Sequence, residues 1–352
     1  MERERIGVVG AGAAAAAATY VLSETVDDAT VTVLEKSGGL CGRAATRRRD
    51  GIVYDYGANY VKSDDQRVAD LLTETLETEG LVEIEEPIWT FDRDGEVSPG
   101  RESDEHKWTY RRGLTQIAKR LFARTDAEVH RRTRVERISR DGGVWRLEDA
   151  AGEVWGPFDR LLLNPPAPQT ADLVRSAGWA SDDLRETLVD AIEAVPYRTV
   201  WTGIFHYPFE LEVPYYALIN TDKEHEVGWI AREECKPGHV PDGESVLVVQ
   251  AGHEWSRDRY DESPDRNLAE LADVATDLLE DERLTEPDWT DHQGWRYALP
   301  EGSATTGPLR SAEREGLYCL GDWVTGEGRI HAALRNGLEV GERIALDRGP
   351  NA

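Results

Sequence analysis

Apolar and polar positions alternate in a way that changes along the chain. Ile6–Val9 is a short apolar run, followed by a glycine-rich turn and an alanine-rich stretch, which predicts a buried strand, a tight turn and a helix. Thr30–Leu34 is a second, β-branched strand, so the first 35 residues read as a βαβ unit. Ile52–Tyr56 and Glu83–Phe91 read as extended, and Leu114–Phe122 as a helix with Leu114, Ile117, Ala118 and Leu121 on one face. Thr133–Ile138 and Val144–Leu147 form a hairpin pattern around Asp141-Gly142-Gly143. Asp159–Leu163 is a buried strand that ends at Asn164-Pro165-Pro166. Asp182–Ala194 is an amphipathic helix, Val200–Ile230 is strand-like and aromatic, Ser245–Ala251 is a strand and Leu268–Leu279 a strong helix. Leu317–Leu320 is the last strand and Ala332–Ala345 the closing helix. An α/β pattern at both ends around a mixed middle predicts an interrupted nucleotide-binding domain.

Composition narrows the function classes. The 352 residues carry 41 Lys plus Arg against 68 Asp plus Glu, a net charge of −27. That charge argues against nucleic acid and against an anionic membrane surface as partners. Only Lys36, Lys62, Lys107, Lys119, Lys223 and Lys236 are lysines. An acidic, lysine-poor surface suits a cytoplasm at very high salt, as in a halophile; an ordinary acidic soluble protein is the alternative. Three cysteines, Cys41, Cys235 and Cys319, give no CxxC and no even disulfide framework, which fits a reducing cytoplasm. Ile6–Leu22 is too short for a comfortable membrane span and lacks a basic flank. No HExxH, Walker A, GxSxG or Cys/His ligand spacing is present, so the expectation is no metal site.

The candidate chemistry begins at Gly10-Ala11-Gly12-Ala13-Ala14-Ala15, a G-x-G-x-x-A pattern between strand and helix. Gly10 permits the turn, Gly12 admits a pyrophosphate against the backbone, and the helix presents free N–H groups to the phosphates. Glu35 ends the second strand 23 residues after Gly12, where its carboxylate can accept from ribose hydroxyls and repel a 2′-phosphate. Lys36 follows it. Gly38-Gly39-Leu40-Cys41-Gly42-Arg43-Ala44-Ala45-Thr46 lets the backbone fold beneath a phosphate, with Arg43 as a fixed cation. Asp55-Tyr56-Gly57-Ala58-Asn59-Tyr60 and Gly321-Asp322, with the turn at Gly326-Glu327-Gly328-Arg329, complete the set.

These segments resemble those of FAD-dependent amine oxidases and their relatives. The resemblance implies an α/β fold: a Rossmann-like FAD-binding domain with a second, antiparallel-sheet α+β substrate domain. It places residues 1–62, 107–170 and 289–352 in the first and 63–106 and 171–288 in the second. It implies FAD as cofactor, contacted by Gly10, Ala11, Gly12, Ala13, Ala14, Glu35, Lys36, Gly42, Arg43, Gly57, Ala58, Asn59, Val135, Gly321, Asp322, Arg329 and Ile330. Within that superfamily the chain looks most like the renalase-type branch, through Arg49-Asp50-Gly51, Trp108-Thr109-Tyr110, Asn164-Pro165-Pro166-Ala167-Pro168-Gln169 and Trp295-Arg296-Tyr297-Ala298. That branch implies oxidation of reduced nicotinamide dinucleotide isomers, with oxygen as acceptor and a small-molecule hydride donor as partner. Asn59, Tyr60, Trp295, Tyr297 and His331 are then the candidate residues around the reacting centre, with Trp229, His206, His253 and His292 behind them. Amine oxidases also place a lysine near flavin N5 in their C-terminal half. Here no lysine follows Lys236, which sits in a loop-like Cys235-Lys236-Pro237-Gly238 stretch. An amine oxidase or desaturase-like enzyme on the same scaffold is the second reading. A redox-neutral flavin enzyme or a non-catalytic FAD-binding protein is the third.

Overall fold

The computed structural model describes residues 3–62, 64–101 and 104–347. Its first unit is a parallel five-stranded sheet in the order Glu128–Arg131, Ala29–Glu35, Glu4–Val9, Arg160–Leu163, Leu317–Cys319. Both faces of this sheet are covered, as a parallel sheet requires. Ile6, Val8 and Leu162 face a core shared with the helices Ala13–Thr25, Gln116–Ala123 and Ile330–Asp347. Val9, Leu34, Leu161 and Leu163 face a second core with the helices Ala167–Arg175, Asp182–Glu193 and Thr306–Glu313. A three-stranded antiparallel meander, Val135–Asp141, Val144–Asp149 and Val154–Phe158, is inserted before Arg160. Gly142 and Gly143, with φ of 59° and 83°, supply the two left-handed residues of its first turn.

The alanine run has a packing reason. Ala13 to Ala18 are all buried, where the first helix is pressed between sheet and closing helix. A Cβ added at Gly337 would lie 2.1 Å from the Ala14 carbonyl oxygen. A Gly337→Ala variant is therefore expected to be destabilised by about 1–3 kcal/mol, the usual cost of overpacking, as read by urea unfolding.

The second unit is a seven-stranded sheet, in the order Trp289–Pro300, Tyr197–Tyr207, Ser245–Ala251, Val227–Arg232, Ala217–Asn220, Ile88–Phe91, Val97–Ser98. Every pair is antiparallel except Ala217–Asn220 with Ile88–Phe91. The amphipathic helix Pro264–Leu279 packs on it through Leu268, Leu271, Ala272 and Ala275.

Three boundaries differ from the sequence expectation. Residues 289–300 form an edge strand of the seven-stranded sheet and not part of the nucleotide-binding unit. Residues 171–194, assigned to the substrate domain, pack through Leu173, Val174, Leu188 and Ile192 on the five-stranded sheet. Val68, Leu71 and Leu72 of the 63–106 insertion join the first core. Of these segments only the helix Asp182–Ala194 was read from its local pattern; partner choice is a tertiary property that a single segment does not encode. Ala167–Arg175, which the sequence pattern did not predict, is a helix with Pro166 as N-cap and Pro168 in the first turn, where no N–H partner is lost.

Candidate functional site

The central strand Glu4–Val9 leads on one side to Ala29–Glu35 and has Arg160–Leu163 on the other. Ligands of open α/β sheets bind outside the carboxyl ends of the strands at such a switch point. Here a cavity of about 2490 Å³ opens there and runs to the seven-stranded sheet.

Its floor is made of interlocked glycine-rich loops. Gly10 has φ of 88° and donates its N–H to the Leu34 carbonyl at 2.8 Å. Gly12 caps the first helix in extended backbone, so its lack of a side chain answers to space and not to strain. Glu35 is buried; its carboxylate accepts from the Ala11 N–H and the Ser37 N–H, each at 2.7 Å. Each oxygen keeps a second lone pair. The Cys41 N–H donates to the Ala11 carbonyl at 2.9 Å, and a Cβ on Gly42 would come within 3.4 Å of the Gly12 Cα. Gly57 lies so close beneath the next loop that a Cβ there would meet the Arg43 carbonyl oxygen at 2.0 Å. Gln250 donates to the Gly57 carbonyl at 2.7 Å, tying this loop to the seven-stranded sheet.

The C-terminal segment closes the floor. Gly321 has φ of 129° and donates to the Asn336 side-chain oxygen at 2.8 Å. Asp322 is buried and accepts from Arg43 at 2.7 Å. The helix Ile330–Asp347 opens onto the cavity through Arg329, Ile330 and His331, with no acidic residue in its first turn. His331 is buried and lies 3.0 Å from Glu327. Four aromatic side chains also line the cavity: Tyr60, Trp229, Trp295 and Tyr297, with Trp295 packed against Gly57.

The donor set fits a flavin dinucleotide. Two helix N-termini face one cavity, Gly10, Gly12 and Gly42 leave the backbone open, and the Asn59 and Asn164 side-chain oxygens are buried without a partner. A Rossmann-like NAD(P)-binding domain model matches residues 8–75, and a model of the flavin-containing amine oxidoreductases matches residues 85–345. The chain belongs to the flavin-containing amine oxidoreductase family. It is an FAD-dependent oxidoreductase.

Solved structures agree on the fold. A proposed protoporphyrinogen oxidase from Exiguobacterium sp. 255-15 superposes with a TM-score of 0.79 at 17% identity, covering 99% of this chain and 100% of its own. Cyclohexylamine oxidase from Brevibacterium oxydans IH-35A gives 0.73 at 14% identity, covering 99% and 100%. A reduced UDP-galactopyranose mutase gives 0.77 at 12% identity, covering 98% and 94%. At these identities the likeness concerns the fold alone, and the family's fold carries more than one chemistry.

Of the residues that the sequence singled out, Gly10, Gly12, Ala13, Ala14, Glu35, Lys36, Gly42, Arg43, Gly57, Ala58, Asn59, Val135, Gly321, Asp322, Arg329 and Ile330 line the cavity, as do Tyr60, Trp295, Tyr297 and His331. Ala11 does not: its side chain is sealed and its N–H is committed to Glu35. Arg43 is partly exposed to the cavity and held in place by Asp322 at 2.7 Å and by the Ala298 carbonyl at 2.8 Å. His253 lines the cavity, whereas His206 and His292 stack on Trp289 and Trp201.

Lys236 departs furthest from its loop-like reading. It is fully buried, with its ammonium 2.6 Å from Glu233 and 3.2 Å from Asp55. Asp55, Glu233 and His239 converge as a metal-like trio, but their charge is answered by this ammonium. Asp55 also accepts from Thr46 at 2.6 Å, from the Leu114 N–H at 3.0 Å and from Thr109 at 3.2 Å. Burial by itself pushes the Asp55 carboxyl up; Lys236, His239 and these donors outweigh it and hold the group below its usual range. Tyr56, Asn164 and Gln250 were missed as site residues. Asn164 had a signal, a polar residue ending a buried strand before two prolines; Gln250, alone in an apolar strand, had none.

Proposed function

We propose that this oxidoreductase takes a hydride from a small, flat donor, a reduced nicotinamide dinucleotide isomer, and that oxygen receives the electrons. The observation that supports this most is the set of aromatic side chains lining the cavity, Tyr60, Trp229, Trp295 and Tyr297. A cavity of about 2490 Å³ exceeds the roughly 300–1,000 Å³ of an ordinary ligand pocket, leaving room for a second molecule beside the cofactor. FAD, when bound, supplies the hydride acceptor; the chain's task is to place the donor carbon against it and to exclude water. The helix starting at Ile330 turns its positive end into the cavity, where it stabilises negative charge. No lysine from the Cys235–Gly238 stretch takes part, since Lys236 is sealed among carboxylates.

Amine oxidation is the second reading. Glu224, Glu226, Glu254 and Asp258 line the outer cavity and suit a cationic substrate. Oxygen consumption in molar salt separates the two, with dihydronicotinamide isomers in one series and primary amines in the other. The salt follows from the reading of a high-salt cytoplasm, which we keep as part of the proposal. Turnover of a dihydronicotinamide and none of amines is expected. Amine turnover alone would replace the first reading by the second.

A further inference from the structure

Trp295 is held by a stack. Its indole lies on the Tyr56 ring, with centroids 5.5 Å apart and planes 18° from parallel. Its Nε1–H donates to the Tyr56 carbonyl at 3.0 Å, which fixes the rotation of the ring in its own plane. The Arg47 guanidinium also sits over the Tyr56 ring, 4.2 Å from its centroid. Arg47 is itself immobilised by Asp291 at 2.8 Å, and by the His292 carbonyl and the Gln293 side chain, each at 2.9 Å. The phenol of Tyr56 thus contacts both the indole and the guanidinium, and it lines the cavity together with Trp295. A backbone passes close to the indole as well, since a Cβ on Gly57 would be 3.2 Å from Trp295 Cζ2. Among the described residues no second ring stacks on Trp295, although it lines the cavity.

We propose that Tyr56 and Arg47 are positioning residues that hold Trp295 as a rigid platform for a flat heteroaromatic ring of the substrate. This rests on the dihydronicotinamide reading for the identity of the ring, but not for the existence of the platform. The physical argument is preorganisation. A free tryptophan must lose rotamer freedom when a ligand stacks on it. Here tilt is removed by the Tyr56 face, in-plane rotation by the Nε1–H bond, and recoil of Tyr56 by Arg47. Offset stacking on such a surface rewards a planar ring and gives a saturated ring or chain little.

The test is a titration of the flavin-loaded protein, followed by the shift of its flavin absorbance. The probes are NAD⁺ and ADP-ribose, which share everything except the nicotinamide ring. Tyr56→Leu removes the stack and Tyr56→Phe keeps it. Tyr56→Leu is expected to bind NAD⁺ about tenfold more weakly, with ADP-ribose and flavin content unchanged, while Tyr56→Phe stays within about twofold of the wild type. Arg47→Met is expected to fall between them. Equal loss for both probes would mean general damage and would overturn the platform, as would a Tyr56→Leu variant with wild-type NAD⁺ affinity. If the wild type does not respond to NAD⁺ at all, the dihydronicotinamide reading fails, and benzylamine against cyclohexylmethylamine then decides the platform. A flat-ring preference that Tyr56→Leu abolishes sustains it; no such preference in the wild type overturns it.

Discussion

Replacing Lys236 by methionine is expected to cost about 3–5 kcal/mol of stability, the scale found when one partner of a buried ion pair is removed. Methionine fills similar volume, so the loss is electrostatic. Asp55 and Glu233 would be left in the interior without the ammonium that now touches both. The consequence reaches the site, because Asp55 anchors the segment that carries Gly57, Ala58 and Asn59 to the cavity floor. Flavin content should therefore fall with stability.

The pH dependence has a definite sign. The Asp55 carboxyl is held below its usual range, so its contribution is present above the ordinary carboxylate value and lost as pH falls through its depressed folded value. Lys236 is raised: burial lowers it, but Glu233 and then Asp55 outweigh that, so its contribution holds in neutral solution and is lost only as pH rises through the raised value. In Lys236→Met burial is no longer outweighed by the ammonium, so the Asp55 carboxyl should rise, and the variant's deficit should be largest at neutral pH and shrink as pH falls. Guanidinium unfolding at several pH values checks both points. A variant as stable as the wild type, with an unmoved acid limb, would show that the cluster is not ion-paired.

Filling the glycine cradle is expected to abolish FAD binding while the fold survives. Gly12→Val alone is ambiguous, because a Cβ there would meet the Asn164 Oδ1 at 2.4 Å. Asn164→Ala removes that collision, and the extended backbone at residue 12 accepts any side chain. The double variant Gly12→Val/Asn164→Ala should thus fold, with unchanged circular dichroism, and purify without yellow colour. Asn164→Ala by itself should keep a large part of its flavin. Full flavin occupancy in the double variant would move the pyrophosphate away from this turn.

The sequence made the ends of the chain readable and the middle less so. The first strand, turn and helix are encoded within residues 6–22, and the strand–Gly-Asp–helix at the C-terminus within residues 317–345, because glycine positions and apolar runs act over a few residues. The edge strand Trp289–Pro300 was not placed, since its register with Tyr197–Tyr207 is a contact across about 95 residues. Lys236 shows the same limit at the level of a side chain. Glu233 and His239 lie three residues either side of Lys236, but nothing local marks the group as buried, and only the fold brings Asp55 to it. Arg43 shows it too: the partner that holds this cation, Asp322, lies 279 positions away. No described helix is long and apolar enough to cross a membrane.

Protein purified in molar salt should show the absorbance bands of bound oxidised flavin, and under anaerobic conditions one dihydronicotinamide isomer should bleach them. Flavin bands that none of the isomers bleaches, but that an amine does, would contradict the proposed donor; a colourless protein that FAD cannot reconstitute would contradict the site itself.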